Sequence, residues 1–198
     1  MDRAYYYFAA SLPTLSFEGE PPLSADDFLQ DCRRLLDPRD YRLIEEILTK
    51  DEYIGSSGNG VYDAWARFDR GFRNELTWVR AERAGKEPAD YIRGDRYSDP
   101  YFSEMIQQAL KEDNLLEAEK ILDRYRWNFL DDLQTKNAFN FGFILIYGLK
   151  LKILLRYERI DSPKGPEILD ELCRSAGRQL SAVTGEAHDI LVTIKSEE

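Results

Sequence analysis

The residues of this chain that could do chemistry are few, and their spacing suits little of it. A single histidine, His188, sits in a polar C-terminal stretch, so a metal site built on several imidazoles is excluded. The two cysteines, Cys32 and Cys173, are far apart and in no metal-type spacing, and they read as reduced thiols of a reducing compartment. Glu-x-x-His, by which helical bundles carry carboxylate-bridged metals, does not occur. Neither do Gly-x-Ser-x-Gly, Cys-x-x-Cys or the dinucleotide fingerprint. Asp131 and Asp132 are adjacent on an expected helix, where sequence neighbours point apart and cannot share a proton. The run GSSGNG, from Gly55 to Gly60, invites a phosphate-cradle reading. It lacks the Gly-Lys-Ser/Thr ending of a P-loop, and no strand pattern precedes it, so it reads as a flexible connection. No catalytic, cofactor-binding or metal residue is assigned, and the chain is not read as an enzyme.

Charge is the other possible source of function. Lys152, Arg156 and Arg159 recur at spacings of four and three and share one helical face. Two readings stay open for this stripe: a solvated face with cations favoured near a helix C-terminus, or a docking surface. Arginines alternate with Trp and Phe around residues 65–73, which could suggest RNA binding. Asp63–Arg67 and Asp69–Arg73, however, are acid-to-base pairs at i, i+4 that neutralise those arginines on their own helix. The net charge of -10 and a pI near 4.8 also argue against nucleic acid.

These residues need helices to position them, and most of the chain supplies helical pattern. Ser24 N-caps a helix carrying Phe28, Leu29, Cys32, Leu35 and Leu36. Asp37 caps the next, with Pro38 as its first residue. Val61, Trp65, Phe68, Phe72, Leu76 and Val79 form the stripe of a long helix. The stretch from Arg83 to Phe102 is rich in Gly, Pro, Asp and Tyr and reads as a connecting segment. A helix should start near Ser98 or Asp99 and run to about Lys111. Asn114 then caps one striped by Leu115, Ala118, Leu122, Tyr125, Phe129 and Leu133. A short helix should follow DSPKGP, and the tail from Ser181 is weakly patterned. Strand alternation is conceivable within the first ten residues alone.

The run from Ala138 to Leu149 decides the membrane question. A span needs about 20 apolar residues, and runs of about 10–14 are more often core helices. Lys150 and Lys152 interrupt this one, so it reads as a central helix that emerges from the core and ends near Ile160. Phe139, Phe143, Ile146 and Tyr147 are expected to pack on Leu122, Tyr125 and Phe129. The start, MDRAYYYFAASLP, does not fit a secretory signal.

Two groups of residues carry a family resemblance. Glu119, Leu122, Asp123 and Tyr125, then Lys150, Leu151, Leu155 and Arg156, then Pro166, Glu167, Ile168 and Leu172 follow a helix–helix–turn–helix pattern. It resembles the repeat unit of the C subunit of V-type and archaeal-type ATP synthases, equivalent to the d subunit of vacuolar ATPases. The start is similar to an uncharacterised bacterial family encoded in V-type ATP synthase operons, through Tyr5, Tyr6, Tyr7, Ala10, Ser11, Leu12, Pro13, Phe17, Pro21 and Pro22. There are departures: the C subunit has three repeats where this chain could hold two at most, and Lys150 stands where the pattern has Asn.

The resemblance implies an all-α helical bundle built from one or two C-subunit-like repeats. The organisation expected is an N-terminal helical unit (1–87), a connecting segment (88–100) and a C-terminal C-subunit-like module (101–198). It further implies a non-catalytic accessory subunit of a proton- or sodium-transporting V-type ATP synthase. That subunit would link the soluble central stalk to the rotor ring, in the cytoplasm and on the membrane only through the complex. An assembly or regulatory factor for the same ATPase is the alternative, and an unrelated helical enzyme a third. The candidate partner-binding residues are Lys152, Arg156, Arg159, Tyr5, Tyr6 and Tyr7. Whether the tyrosines pack inside or dock outside is open.

Overall fold

Ser24 shows how the helices are set. Its Oγ accepts from the Asp27 N–H at 3.1 Å and donates to the Asp27 carboxylate at 2.7 Å, which fixes the start of a helix with two acids in its first turn. The structure, a computed structural model, describes residues 5–50, 56–92, 94 and 100–161. Residues 1–155 form one compact unit and residues 156–198 a second, of which 156–161 are described. The expected short helix after DSPKGP, the tail, His188, Cys173 and the helix start near Ser98 lie outside the described residues.

The elements are α1 (Tyr6–Ser11), α2 (Ala25–Leu35), α3 (Pro38–Thr49), α4 (Gly60–Arg83), a 3-10 turn (Pro88–Asp90), α5 (Pro100–Ala109), α6 (Leu115–Gln134) and α7 (Phe141–Asp161). The fold is all-α, with no strand among the described residues; of the first ten residues, where alternation was conceivable, 6–10 are helical. Asn114 caps α6 by accepting from the Leu116 N–H at 3.0 Å. The α4 stripe is buried throughout, from Val61 to Val79.

α4, α5 and α6 meet in an aromatic seam. Phe68 stacks on Phe129 with ring centroids 3.9 Å apart, and Phe72, Phe102 and Tyr125 pack within 4.6–6.1 Å of one another. An ion network closes this seam. Asp123 is fully buried and holds Arg126 at 2.6 Å; Asp69, also buried, holds Arg73 at 2.8 Å and lies 3.9 Å from Arg126. The Arg126 guanidinium lies 4.0 Å from the centroid of the Phe72 ring.

α7 begins at Phe141 and is buried on nearly all sides as far as Leu154, as a helix apolar on most faces must be. Gly148 makes this possible. A Cβ there would lie 3.0 Å from Ile47 Cδ1 and 3.1 Å from Phe28 Cε1, so α2 and α3 approach α7 at a distance set by the missing side chain.

The expected packing of α7 on α6 needs correcting. Ile146 and Tyr147 are buried as anticipated, but Phe143 is half-buried and Phe139 is 41% exposed. Tyr125 and Phe129 face the α4–α5 seam instead, and Tyr147 packs on Phe28 at 5.3 Å. The reason is that residues 138–140 precede the helix: Phe139 adopts φ +57 and turns away from the core. No helix among the described residues is long and apolar enough to cross a membrane.

Candidate functional site

The three N-terminal tyrosines divide by role. Tyr5 works inside the fold. Its hydroxyl donates to the Asp40 carboxylate at 2.6 Å, the Asp37 N–H donates to it at 3.4 Å, and its own N–H donates to the Phe139 carbonyl at 3.0 Å. One residue thus ties the chain start to the opening turn of α3 and to the α6–α7 connection. Asp37 precedes Pro38 as expected, but its side chain does not cap α3. Tyr6 and Tyr7 face outward, 62% and 94% exposed.

Tyr6 stacks flat on Phe139, with centroids 4.9 Å apart and planes 9° apart. Phe139 is the non-glycine residue with positive φ among those described, a conformation that costs on the order of 1–2 kcal/mol for an L residue. Strain of this kind persists where the surroundings over-determine it, here through the Tyr5 bond and the Tyr6 stack. The outcome is an exposed aromatic pair, Tyr6 on Phe139, with Tyr7 exposed next to it in the chain. Nothing in the hydrophobic pattern signals Phe139, which reads as the first residue of an apolar run.

Two side chains of the basic stripe, Lys152 and Arg156, are described. Lys152 is half-buried, and its ammonium donates to the carbonyl of Lys50, the residue that ends α3. It satisfies an orphan carbonyl and places a cation at a helix C-terminus. Arg156 is exposed, with its guanidinium 5.6 Å from the Tyr157 ring centroid. The Arg159 side chain lies outside the described residues.

The glycine-rich loop is no anion seat. Its described residues serve α4: Asn59 Oδ1 accepts from the N–H groups of Val61 and Tyr62 at 3.0 and 3.1 Å. Asp63 accepts from the Ser57 N–H at 2.8 Å and from the Ser56 hydroxyl at 2.8 Å. The Ser57 N–H bond, foremost, holds the Asp63 carboxyl below its ordinary range. The Ser56 and Ser57 donors are thus taken by a carboxylate of the chain itself, and Asp63 is engaged there rather than with Arg67. The second expected pair, Asp69–Arg73, is present.

A cleft of about 570 Å³ lies along α6 and α7 under the segment 12–15. It is lined by Leu12 to Leu15, Asp131, Gln134, Thr135, Phe143, Tyr147 and Lys150. Lys150 is the unexpected residue. It lies between buried Leu149 and Leu151 and is itself 6% exposed. Its ammonium donates to Asp131 Oδ1 at 2.6 Å and to Gln134 Oε1, and sits 5.2 Å from the Trp127 ring centroid. One turn earlier, the Tyr147 hydroxyl is buried with no hydrogen-bond partner. Burial pushes that phenol well above the ordinary tyrosine range. In the sequence Lys150 marks only the end of an apolar run; the signal available was a lysine flanked on both sides by leucines three residues after a tyrosine.

Among the described residues no group of acids, His and Cys could hold a metal ion. Residues 98–176 match the model of a family described as a protein of unknown function, DUF2764. No curated protein and no solved structure matches the chain. The matched stretch includes α5, α6 and α7 and leaves out the tyrosine-rich start.

Proposed function

We propose that this chain is a non-catalytic accessory subunit of a bacterial V-type ATP synthase, a C/d-subunit-like link between the soluble stalk and the membrane rotor. It would act in the cytoplasm and reach the membrane through the complex alone. The reading rests on the resemblance of its start and its 109–172 region to proteins of that machine. The observation that supports it best is the exposure of Tyr6 and Tyr7 in the motif that carries the resemblance, with Tyr6 stacked on exposed Phe139. Exposed Tyr and Phe on a rigid helical support suit a protein interface, where aromatic anchors supply most of the affinity. A torque-transmitting link needs such a support, and the seam of α4, α5 and α6 supplies one.

The test is a pull-down of the ATPase by the tagged full-length chain, wild type beside Tyr6→Ser/Tyr7→Ser, at two salt concentrations, with a thermal melt of each. The expected result is loss of the ATPase with a melt lowered only by the loss of the Tyr6–Phe139 stack, about 0.5–1.5 kcal/mol, while Tyr7→Ser alone leaves the melt unchanged. Unchanged capture would remove these tyrosines from the account. Capture of partial complexes alone would favour the assembly-factor reading.

A further inference from the structure

We propose that the cleft along α6 and α7 binds a small organic acid, with its carboxylate held by Lys150, Tyr147 and Gln134 and its apolar body against Phe143 and the segment 12–15. The cleft holds donors that the fold leaves unused. Lys150 carries three N–H bonds and gives two, to Asp131 and Gln134. Gln134 accepts from Lys150 through its oxygen, which leaves its amide N–H groups as donors. The Tyr147 hydroxyl is buried and gives its proton to nothing. A buried hydroxyl left in this state costs free energy that a bound acceptor would recover.

Position within the cleft sets the sign of the charge. The Lys150 side chain is 8% exposed and that of Asp131 54%. The ammonium therefore sits at the inner end, where water screens it least, and its carboxylate partner at the mouth, where water screens it most. Lys150 and Tyr147 are three residues apart on α7 and so lie on one face, one above the other. An oxyanion at the inner end meets a cation and a phenol together. The walls beyond it, Leu12, Pro13, Leu15 and Phe143, are apolar. The volume of about 570 Å³ falls within the range of small-molecule sites.

Tyr147→Phe is the informative variant, since it removes an atom that the fold itself does not use. The probes are hexanoate and its neutral isostere hexanamide, titrated into the full-length chain by calorimetry and by ligand-observed saturation-transfer NMR. Hexanoate should bind saturably, and hexanamide more weakly by about tenfold, the scale of one hydrogen bond to a charged group. Tyr147→Phe should weaken hexanoate several-fold while its melting temperature holds or rises. Lys150→Met should abolish hexanoate binding. Three results would overturn the proposal: no saturable hexanoate binding, equal affinity in wild type and Tyr147→Phe, or a lowered melting temperature in Tyr147→Phe. The last would mean that the hydroxyl is already satisfied in the free protein.

Discussion

The seam between α4 and α6 and the cleft between α6 and α7 use the same residue types to opposite ends. Each combines aromatic rings with a largely covered cation and its carboxylate. In the seam, Arg126 lies between Asp123 and Asp69 and over Phe72, and both acids are buried. In the cleft, Lys150 has one acid at the mouth, an amide beside it and a phenol that bonds to nothing. The seam is closed on itself, whereas the cleft and the Tyr6–Phe139 surface leave capacity unused. A helical protein that docks and binds needs both: a part whose interactions are complete, to be rigid, and a part whose interactions are not, to be occupied.

Substitutions should separate the two regions by magnitude. Phe72→Ala, in the middle of the seam, is expected to cost about 3–5 kcal/mol in denaturant unfolding. Phe143→Ala, half-buried beside the cleft, should cost about 1–2 kcal/mol. Equal losses would mean that the cleft is as tightly packed as the seam. Gly148→Ala should cost about 1–3 kcal/mol, because α2 and α3 must give way at the crossing with α7.

Smaller effects sharpen the comparison. Lys152→Glu should cost about 0.5–1.5 kcal/mol, since it abandons the Lys50 carbonyl and puts an anion at the end of α3. Arg156→Glu, on an exposed side chain, should stay within about 0.5 kcal/mol. If Lys152→Glu leaves the melt unchanged, Lys152 returns to the candidate docking residues.

The pH response should be modest. Asp63 and Glu46 both titrate below the ordinary range, Asp63 chiefly through the Ser57 N–H and Glu46 chiefly through the Tyr62 hydroxyl at 2.8 Å. A depressed folded pKa stabilises where the group is charged. The contribution is complete above the unfolded value of about 4 and is lost as pH falls through the folded values. The melting temperatures of wild type and Asp63→Asn should therefore converge as the pH drops below about 4.

The helices were legible in the sequence because their signals are local. Ser24 and Asn114 cap as expected, Asp37 does not, and the α4 stripe from Val61 to Val79 is buried at every position named. The pairing of helices was not legible, because it depends on the order in which faces meet. Tyr125 and Phe129 pack on α4 and α5 rather than on α7, although their spacing is the same either way. Phe139 was misread because an apolar residue beside an apolar run looks like its beginning. What excludes it is a backbone conformation that a side-chain pattern does not carry. Lys150 was passed over for a related reason: a lysine at the end of an apolar run ordinarily marks the surface, and only the partners on α6 reveal its burial.

Membership of a V-type ATP synthase, as proposed, is tested most directly by co-purification. The ATP synthase is isolated from cells that express the tagged full-length chain at its native level, and the amount of the chain is measured against the catalytic subunits in intact and partial complexes. The expected result is a fixed, stoichiometric amount in the intact ATPase, lost on Tyr6→Ser/Tyr7→Ser substitution. A chain recovered free of every ATPase complex, at any salt concentration, would contradict it.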